Sequence, residues 1–328
     1  MIAPMKNSKL YRQDNIKEML NWSLDKKISH ALKRIKEFHT TQNGKVYISF
    51  SGGKDSTVLQ HLVRSIYPST VSVFSNTTNE FVEILDFVKH TDNVITVYPK
   101  LSFNETVTKY GFPLVSKRTA RAITDLRENK QTTSNVRNLY LTGLNRKGEH
   151  CPSYKLAKKW YPLFEKATFN ITNKCCDVLK KEPLVEYEEM TGLKGFVGTQ
   201  VGESNQRKSN WLDYGCNIFD AKRPTSRPLS IWTEQDIWDY IHRFSIPYCE
   251  IYDDVVDKNT GEVLIEGEKR TGCAYCAFGA HLEKSNLTHK NRFERLKLRK
   301  PKQFKKIMSL KNNGVTFSEA LSFIKVNH

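Results

Sequence analysis

Three stretches of the chain combine residue types and spacings that chemistry uses. The first is Tyr47-Ile48-Ser49-Phe50-Ser51-Gly52-Gly53-Lys54-Asp55-Ser56-Thr57, in which two glycines and a run of donors follow an apolar segment. Glycine lets a backbone come close to an anion, and the first N–H groups of a helix point toward it. Lys54 supplies a positive charge, and the Ser51 and Ser56 hydroxyls can donate to phosphate oxygens. Asp55 can cap the following helix or help hold a magnesium ion. An ordinary tight turn with a good cap uses some of these residues, but the whole string behind a buried strand points to phosphate. The spacing is not that of a Walker loop, which has four residues between its glycines before the lysine.

The other two stretches carry cysteines. Cys175 and Cys176 are adjacent, and Thr271-Gly272-Cys273-Ala274-Tyr275-Cys276 holds a C-x-x-C. Four thiolates are the number that closes a cubane cluster or a tetrahedral zinc site. Adjacent cysteines pair poorly with each other but can ligate two irons of one cluster, whereas zinc sites favour two C-x-x-C units. Gly272 is expected to free the backbone for the turn. On spacing alone, cluster, zinc and no metal all stay open. Lys174, Lys180, Lys181, Lys269 and Arg270 flank the pairs, where positive charge lowers thiol pKa values, or they form a solvated basic face. Cys151, Cys216 and Cys249 stand alone and read as small buried residues.

These residues need a scaffold. Residues 1–44 read as helical, with Ile16, Leu20, Trp22, Ile28, Leu32 and Ile35 near helical spacing. Segments 45–50, 70–74, 93–97 and 195–198 read as strands, and 55–65 and 80–89 as helices between them. That alternation predicts an α/β fold, a parallel β-sheet with helices on both faces. A mostly helical, basic insert covers about 102–190, including Lys117, Arg118, Arg121, Arg127, Lys130 and Arg137. Residues 232–244 predict a helix capped by Thr233, 258–261 a hairpin turn, and 292–308 and 318–324 terminal helices. The expected division is a helical segment 1–44, a nucleotide-binding α/β domain 45–244 containing the insert, and a cysteine-bearing helical region 245–328.

Composition narrows the class. At 328 residues the chain can bury a large core without disulfides. No apolar run is long enough for a membrane span, and residues 1–10 lack the apolar core of a secretory signal, so a cytoplasmic location with no membrane partner is expected. Cytosolic thiols stay reduced, which favours metal binding or reactivity for clustered cysteines. Lys and Arg outnumber Asp and Glu by 52 to 35, a net charge of +17 that favours polyanionic partners: nucleotides, nucleic acid or an acidic carrier protein.

The string SGGKDST resembles the pyrophosphate-binding loop of the ATP pyrophosphatase superfamily, with its adenine nucleotide alpha-hydrolase-like fold. Other matches are similar to the branch of phosphoadenylyl-sulfate (PAPS) reductases, adenylyl-sulfate reductases and the sulfur-transfer enzyme of DNA phosphorothioation. The resemblance implies nucleotide binding by Ser49, Ser51, Gly52, Gly53, Lys54, Asp55, Ser56 and Thr57. Phe74-Ser75-Asn76-Thr77 through Glu80 is similar to the turn implied to hold adenosine. Gly198-Thr199-Gln200 with Glu203, Ser204 and Arg207 resembles a G-x-R-x-x-E-S-x-x-R segment, with Gln200 where arginine is common. Arg227-Pro228-Leu229, Trp232-Thr233-Glu234-Gln235-Asp236-Ile237-Trp238 and Ile246-Pro247-Tyr248 match a further signature. By residue type alone the two tryptophans read as core. The cysteines resemble the C-C…G-C-x-x-C set of bacterial adenylyl-sulfate reductases, which implies a 4Fe-4S cluster on Cys175, Cys176, Cys273 and Cys276. The likeness runs from about residue 45 to 301.

Two reactions fit this implied site. ATP with Mg2+ could be cleaved between its α and β phosphates, with Lys54, Asp55 and Ser56 as catalytic residues, adenylating an acceptor before a sulfur-donor protein supplies sulfur. Alternatively, an adenylyl or phosphoadenylyl sulfate is reduced by a nucleophilic cysteine. Reductases resemble one another in a Glu-Cys-Gly-Leu-His tail, and no cysteine follows Cys276 here. The complete loop also resembles the triphosphate form, so sulfur transfer is the expected reaction. A non-catalytic nucleotide- and cluster-binding regulator is a third reading. A nucleic-acid acceptor could dock on the insert near Lys117, Arg118 and Arg121.

Overall fold

The computed structural model describes residues 11, 13–128, 134–283, 285–286 and 289–328. The leader reading of residues 1–10 and the basic residue Lys130 lie outside the described residues. The chain forms two compact units. One comprises Met1–Asn76, Phe81–Tyr98 and Pro183–Tyr252; the other comprises Thr77–Glu80, Pro99–Glu182 and Asp253–His328.

The first unit is built on a six-stranded sheet. Its strands run in the order Val94–Val97, Ser72–Ser75, Val46–Phe50, Lys194–Val197, Thr225–Ser226 and Asn217–Ile218. All neighbours pair in parallel except the last two, which are antiparallel. Side chains of Val46–Phe50 alternate between faces, as a strand requires. Val46 and Ile48 pack in a core with Ala31, Ile35 and Phe38 of the Leu24–Thr41 helix and Val58, Leu59, Leu62 and Val63 of the Lys54–Arg64 helix. Tyr47 points the other way, with its ring 5.6 Å from that of Tyr187 in the Glu182–Thr191 helix. Helices therefore cover both faces, as the alternating sequence pattern predicts.

The Leu24–Thr41 helix begins at Ser23, which accepts from Lys26 N, and buries Lys27, Ala31, Ile35 and Phe38 on one stripe. Lys27 is the exception to its apolar character. Its Nζ donates to Asp236 Oδ2 at 2.6 Å and to Leu20 O at 2.7 Å, which satisfies a cation that is only 1% exposed. Asp236 also accepts from the Thr233 amide and hydroxyl in a capping box that starts the Glu234–Arg243 helix.

The second unit gathers the helical insert and the C-terminal region. Leu114–Val115 pairs in parallel with Ala277–Phe278, stitching the insert to the strand that follows the C-x-x-C. Its aromatic core includes Phe112, Phe169, Phe293 and Phe317. Arg127, one of the basic residues of the insert, donates to the carbonyls of Leu163, Phe164, Ala167 and Phe169 and closes a turn. The predicted 292–308 helix is two helices, Arg292–Arg299 and Pro301–Met308, because Pro301 starts a new helix and disfavours helical backbone at Lys300. No helix among the described residues is long and apolar enough to cross a membrane.

Candidate functional site: a phosphate loop and a cysteine centre

In a parallel sheet, ligands favour the carboxyl ends of strands where the chain reverses its direction of travel across the sheet. Here that point lies between Val46–Phe50 and Lys194–Val197: the chain goes one way to Ser72–Ser75 and later returns on the other side. The 51–57 loop leaves the first of these strands, and Gly198 leaves the second. Gly52 has φ +68°, and a Cβ there would come 2.9 Å from Val88 and 3.0 Å from Ile84. The packing of the Val82–Lys89 helix thus demands this glycine independently of any ligand. A Cβ on Gly198 would approach the Asp55 carbonyl oxygen to 3.1 Å.

Internal hydrogen bonds fix the loop. Ser56 Oγ donates to Gly53 O at 2.8 Å and accepts from Ser51 N at 3.1 Å, while Gly53 N donates to Ser51 Oγ at 3.4 Å. Thr57 Oγ1 also donates to Gly53 O. Gly53 is the N-cap of the Lys54–Arg64 helix without a side-chain cap, so its first amides face outward from the helix start. The Lys54 side chain is 3% exposed, with Nζ 3.5 Å from Glu234 and 3.9 Å from Asp55. The rings of Tyr252 and Trp238 lie 5.3 and 6.0 Å from it. Asp55 Oδ1 accepts from Gln200 Nε2 at 2.9 Å. Glu203 accepts from Gln200 N and pairs with Arg207.

The second unit brings the cysteines together. Cys175 and Cys176 begin a helix that widens into a π-turn over Asp177–Lys181. Such turns shift the residues after them and recur at functional sites. Burial raises the Cys175 thiol pKa, and Cys273, Cys176 and Cys276 raise it further, so all four thiols lie within electrostatic reach. Cys273 is pushed up to about 11 by burial, against the pull of Lys180. Burial raises Cys276 too, while the Phe278 amide, Arg292 and Lys180 act to lower it. Burial opposes the Lys180 charge, yet Cys273, Glu80, Cys176 and Cys276 together hold its pKa above the usual lysine range.

The turn around Cys273 and Cys276 is clamped from two sides. Asn79 O accepts from Ala274 N at 2.7 Å, and Asn79 Oδ1 from Tyr275 N at 3.3 Å. Thr77 donates to Glu80 at 2.6 Å and accepts weakly from the Cys273 thiol at 3.5 Å. Arg292 donates to the Cys276 carbonyl at 2.8 Å and is itself held by Glu283. Gly272 has open space around a notional Cβ and no positive φ, so the turn does not need glycine there, contrary to the sequence-based expectation.

Among the described residues, no three or more His, Cys, Asp or Glu side chains are arranged as a ready metal-holding group. The donor set itself fits an anionic iron–sulfur group: Cys176 beside Cys175, Cys273 and Cys276, three thiols whose ionisation burial disfavours, with the half-buried cation Lys180 in electrostatic reach. Thiols of this kind ionise when a metal takes the place of their protons.

A family model of the phosphoadenosine phosphosulfate reductase domain matches residues 45–150 and 110–277. The chain belongs to this family. An uncharacterised protein of Methanocaldococcus jannaschii is 24% identical over 79% of this chain and 48% of its own. The chain thus spans about half the length of that relative. A sulfate adenylyltransferase subunit 2 of Pseudomonas savastanoi pv. phaseolicola is 38% identical over 69 residues, 20% of this chain and 23% of that protein. An adenosine 5'-phosphosulfate reductase of Staphylococcus haemolyticus is 25% identical over 70% of this chain and 74% of its own.

In this member of the phosphoadenosine phosphosulfate reductase domain family, the loop residues Ser51, Gly52, Gly53, Lys54, Asp55, Ser56 and Thr57 gather with Gly198, Gln200, Glu203 and Arg207 in the first unit. Ser49 lies in the strand beneath, in register with Val197, and Thr199 N donates to Val197 O. Asn76 N donates to Val97 O, whereas Thr77 is fully buried and turned to Glu80 and Cys273 in the second unit. Trp232 is core at 1% exposure; Trp238 is half-buried beside Lys54. Lys181 pairs with Asp177 at 2.6 Å, and Lys174, Lys269 and Arg270 are exposed. Sequence reasoning missed Tyr252, Glu234, Asn79 and Arg292. Glu234 and Asn79 lie inside stretches that resemble the family, but their residue types there assign them no role, and Tyr252 and Arg292 stand in no motif.

Proposed function

We propose that this protein cleaves ATP between its α and β phosphates and adenylates an acceptor, which sulfur from a donor protein then attacks. An acceptor oxygen forms a bond to the α-phosphorus, the α–β bridge breaks, and pyrophosphate leaves. In the second step a sulfur nucleophile bonds to the acceptor and AMP departs with the oxygen. The observation that carries this reading is Lys54: a lysine held at 3% exposure at the N-terminus of the loop helix, beside an ordered Asp55. Lys54 and the outward amides would stabilise the charge that builds on the leaving pyrophosphate. Asp55, oriented by Gln200, would hold magnesium, which supplies further charge neutralisation on phosphate oxygens when bound. The adenylyl-transferring Pseudomonas relative supports this reading.

Cys175, Cys176, Cys273 and Cys276 would hold a 4Fe-4S cluster, with Lys180 compensating its charge. When bound, such a cluster supplies a redox-active group whose potential depends on hydrogen bonds and burial.

The Staphylococcus relative favours a second reading, reduction of an adenylyl sulfate. A thiolate would attack the sulfate sulfur, the S–O bond to AMP would break, and an enzyme thiosulfonate would form. Cys216 and Cys249 are 5% and 1% exposed, and burial pushes the Cys216 thiol up to about 11. Cys151 is the half-exposed thiol outside the quartet. The two readings part in one assay. Pyrophosphate release from ATP, Mg2+ and an acceptor supports the first. Sulfite release from adenylyl sulfate in the presence of a dithiol, which cleaves the thiosulfonate S–S bond and is oxidised to a disulfide, supports the second if Cys151→Ala abolishes it.

A further inference from the structure

The Lys54 amide is the first helical N–H of the Lys54–Arg64 helix, one of the donors with no carbonyl partner inside the helix. It donates to Tyr252 Oη at 3.0 Å. The same tyrosine ring lies 5.3 Å from Lys54 Nζ and meets Trp238 edge-on at 5.8 Å and 85°. One side chain thus engages both the backbone donor and the cation of the residue on which the proposed chemistry depends. Its placement is anchored. The short Glu250–Tyr252 turn buries Ile251 completely, and Tyr252 N donates to Cys249 O at 3.3 Å.

A phosphate oxygen that uses the Lys54 amide must take the place of the tyrosine oxygen. We propose that Tyr252 Oη holds a phosphate-oxygen position of the loop in the nucleotide-free protein, and that the pyrophosphate moiety of a nucleotide displaces it. The ring remains against the Lys54 ammonium and positions it. This rests on the nucleotide reading above and assigns a residue which that reading does not use. An internal acceptor keeps a buried donor satisfied until ligand arrives, and it reduces apparent affinity by the fraction of time it occupies the amide. Tyr252 is therefore a positioning residue with two separable parts, a competing hydroxyl and a supporting ring.

Tyr252→Phe removes the hydroxyl and keeps the ring. Calorimetric titration with ATP and with inorganic pyrophosphate is expected to give binding about 2- to 10-fold tighter than wild type, the range of one neutral hydrogen bond. Exchange of the Lys54 amide in the free protein should accelerate, a readout that a purely structural role for the hydroxyl elsewhere would not move. Tyr252→Leu, which removes the ring as well, should bind more weakly than Tyr252→Phe. Wild-type binding with equal or weaker binding by Tyr252→Phe overturns the competition. Unchanged Lys54 exchange does the same. If neither protein binds ATP or pyrophosphate, the nucleotide reading has failed, and this inference with it.

Discussion

Gln200 Nε2 donates to Asp55 Oδ1 at 2.9 Å, across 145 residues of sequence. Gln200 stands where the resembling family segment commonly has arginine. A neutral amide orients the carboxylate without setting a second positive charge against it beside that of Lys54. Gln200→Ala should free the carboxylate and lower the rate of pyrophosphate release by about 10-fold, the worth of one hydrogen bond to a charged group. Gln200→Glu sets two carboxylates face to face and should lower it more. Equal rates for wild type and Gln200→Ala would remove Asp55 orientation from the mechanism.

Lys54→Ala should reduce pyrophosphate release by about 10²- to 10³-fold, the usual effect of deleting a donor aimed at developing charge. The thermal midpoint, measured alongside, should change little relative to that loss. A variant that retains wild-type turnover would rule out charge stabilisation by this lysine.

The Lys27–Asp236 pair at 2.6 Å is buried and joins two helices of the first unit. Lys27→Met leaves a buried carboxylate without its cation and should cost about 3–5 kcal/mol in urea unfolding. Asp236 keeps its Thr233 partners, so the Glu234–Arg243 helix should still form. A loss below about 1 kcal/mol would mean that the pair contributes no more than a surface ion pair.

Anaerobic purification followed by iron and labile-sulfide counting should give about four of each per chain, the content of a cubane cluster. Cys273→Ala and Cys176→Ala should each lose most of that iron. Stoichiometric zinc without sulfide would assign the four thiols to a tetrahedral site instead.

His30 offers a pH test of the scaffold. Burial, together with Arg34 and Lys33, holds its pKa down at about 4, against 6.5 for a free histidine. The folded protein therefore keeps His30 neutral, while the unfolded chain takes up a proton below pH 6.5. Its contribution is complete above that pH and is lost as the pH falls toward 4. His30→Phe keeps the ring near Trp22 and should flatten this part of the stability profile by about 1 kcal/mol, after allowing for solvent screening. An identical slope in both proteins would show that His30 does not contribute to it.

The sequence by itself determined the local parts. Residue pattern placed the parallel elements around 45–97, because a strand covered on both faces leaves a short, nearly continuous apolar run and an amphipathic helix leaves a period of 3.6. The Thr233 cap and the 51–57 loop were readable for the same reason, since their hydrogen bonds close within a few residues. The cysteine pairs were visible as spacing, although the spacing left cluster, zinc and no metal open.

Tertiary structure decided everything that depends on residues distant in the chain. Gly52 is held by Ile84 and Val88, and Gln200 by Asp55; no local pattern records either contact. Thr77, which follows the second strand, folds with the C-x-x-C unit because Asn79 and Thr77 hydrogen-bond to the 273–276 turn. Lys180 acts on the thiols from inside a π-turn, and Arg292 from a helix that follows them. Charge in the sequence marks which residues can be cations, and burial decides which cation a thiol feels.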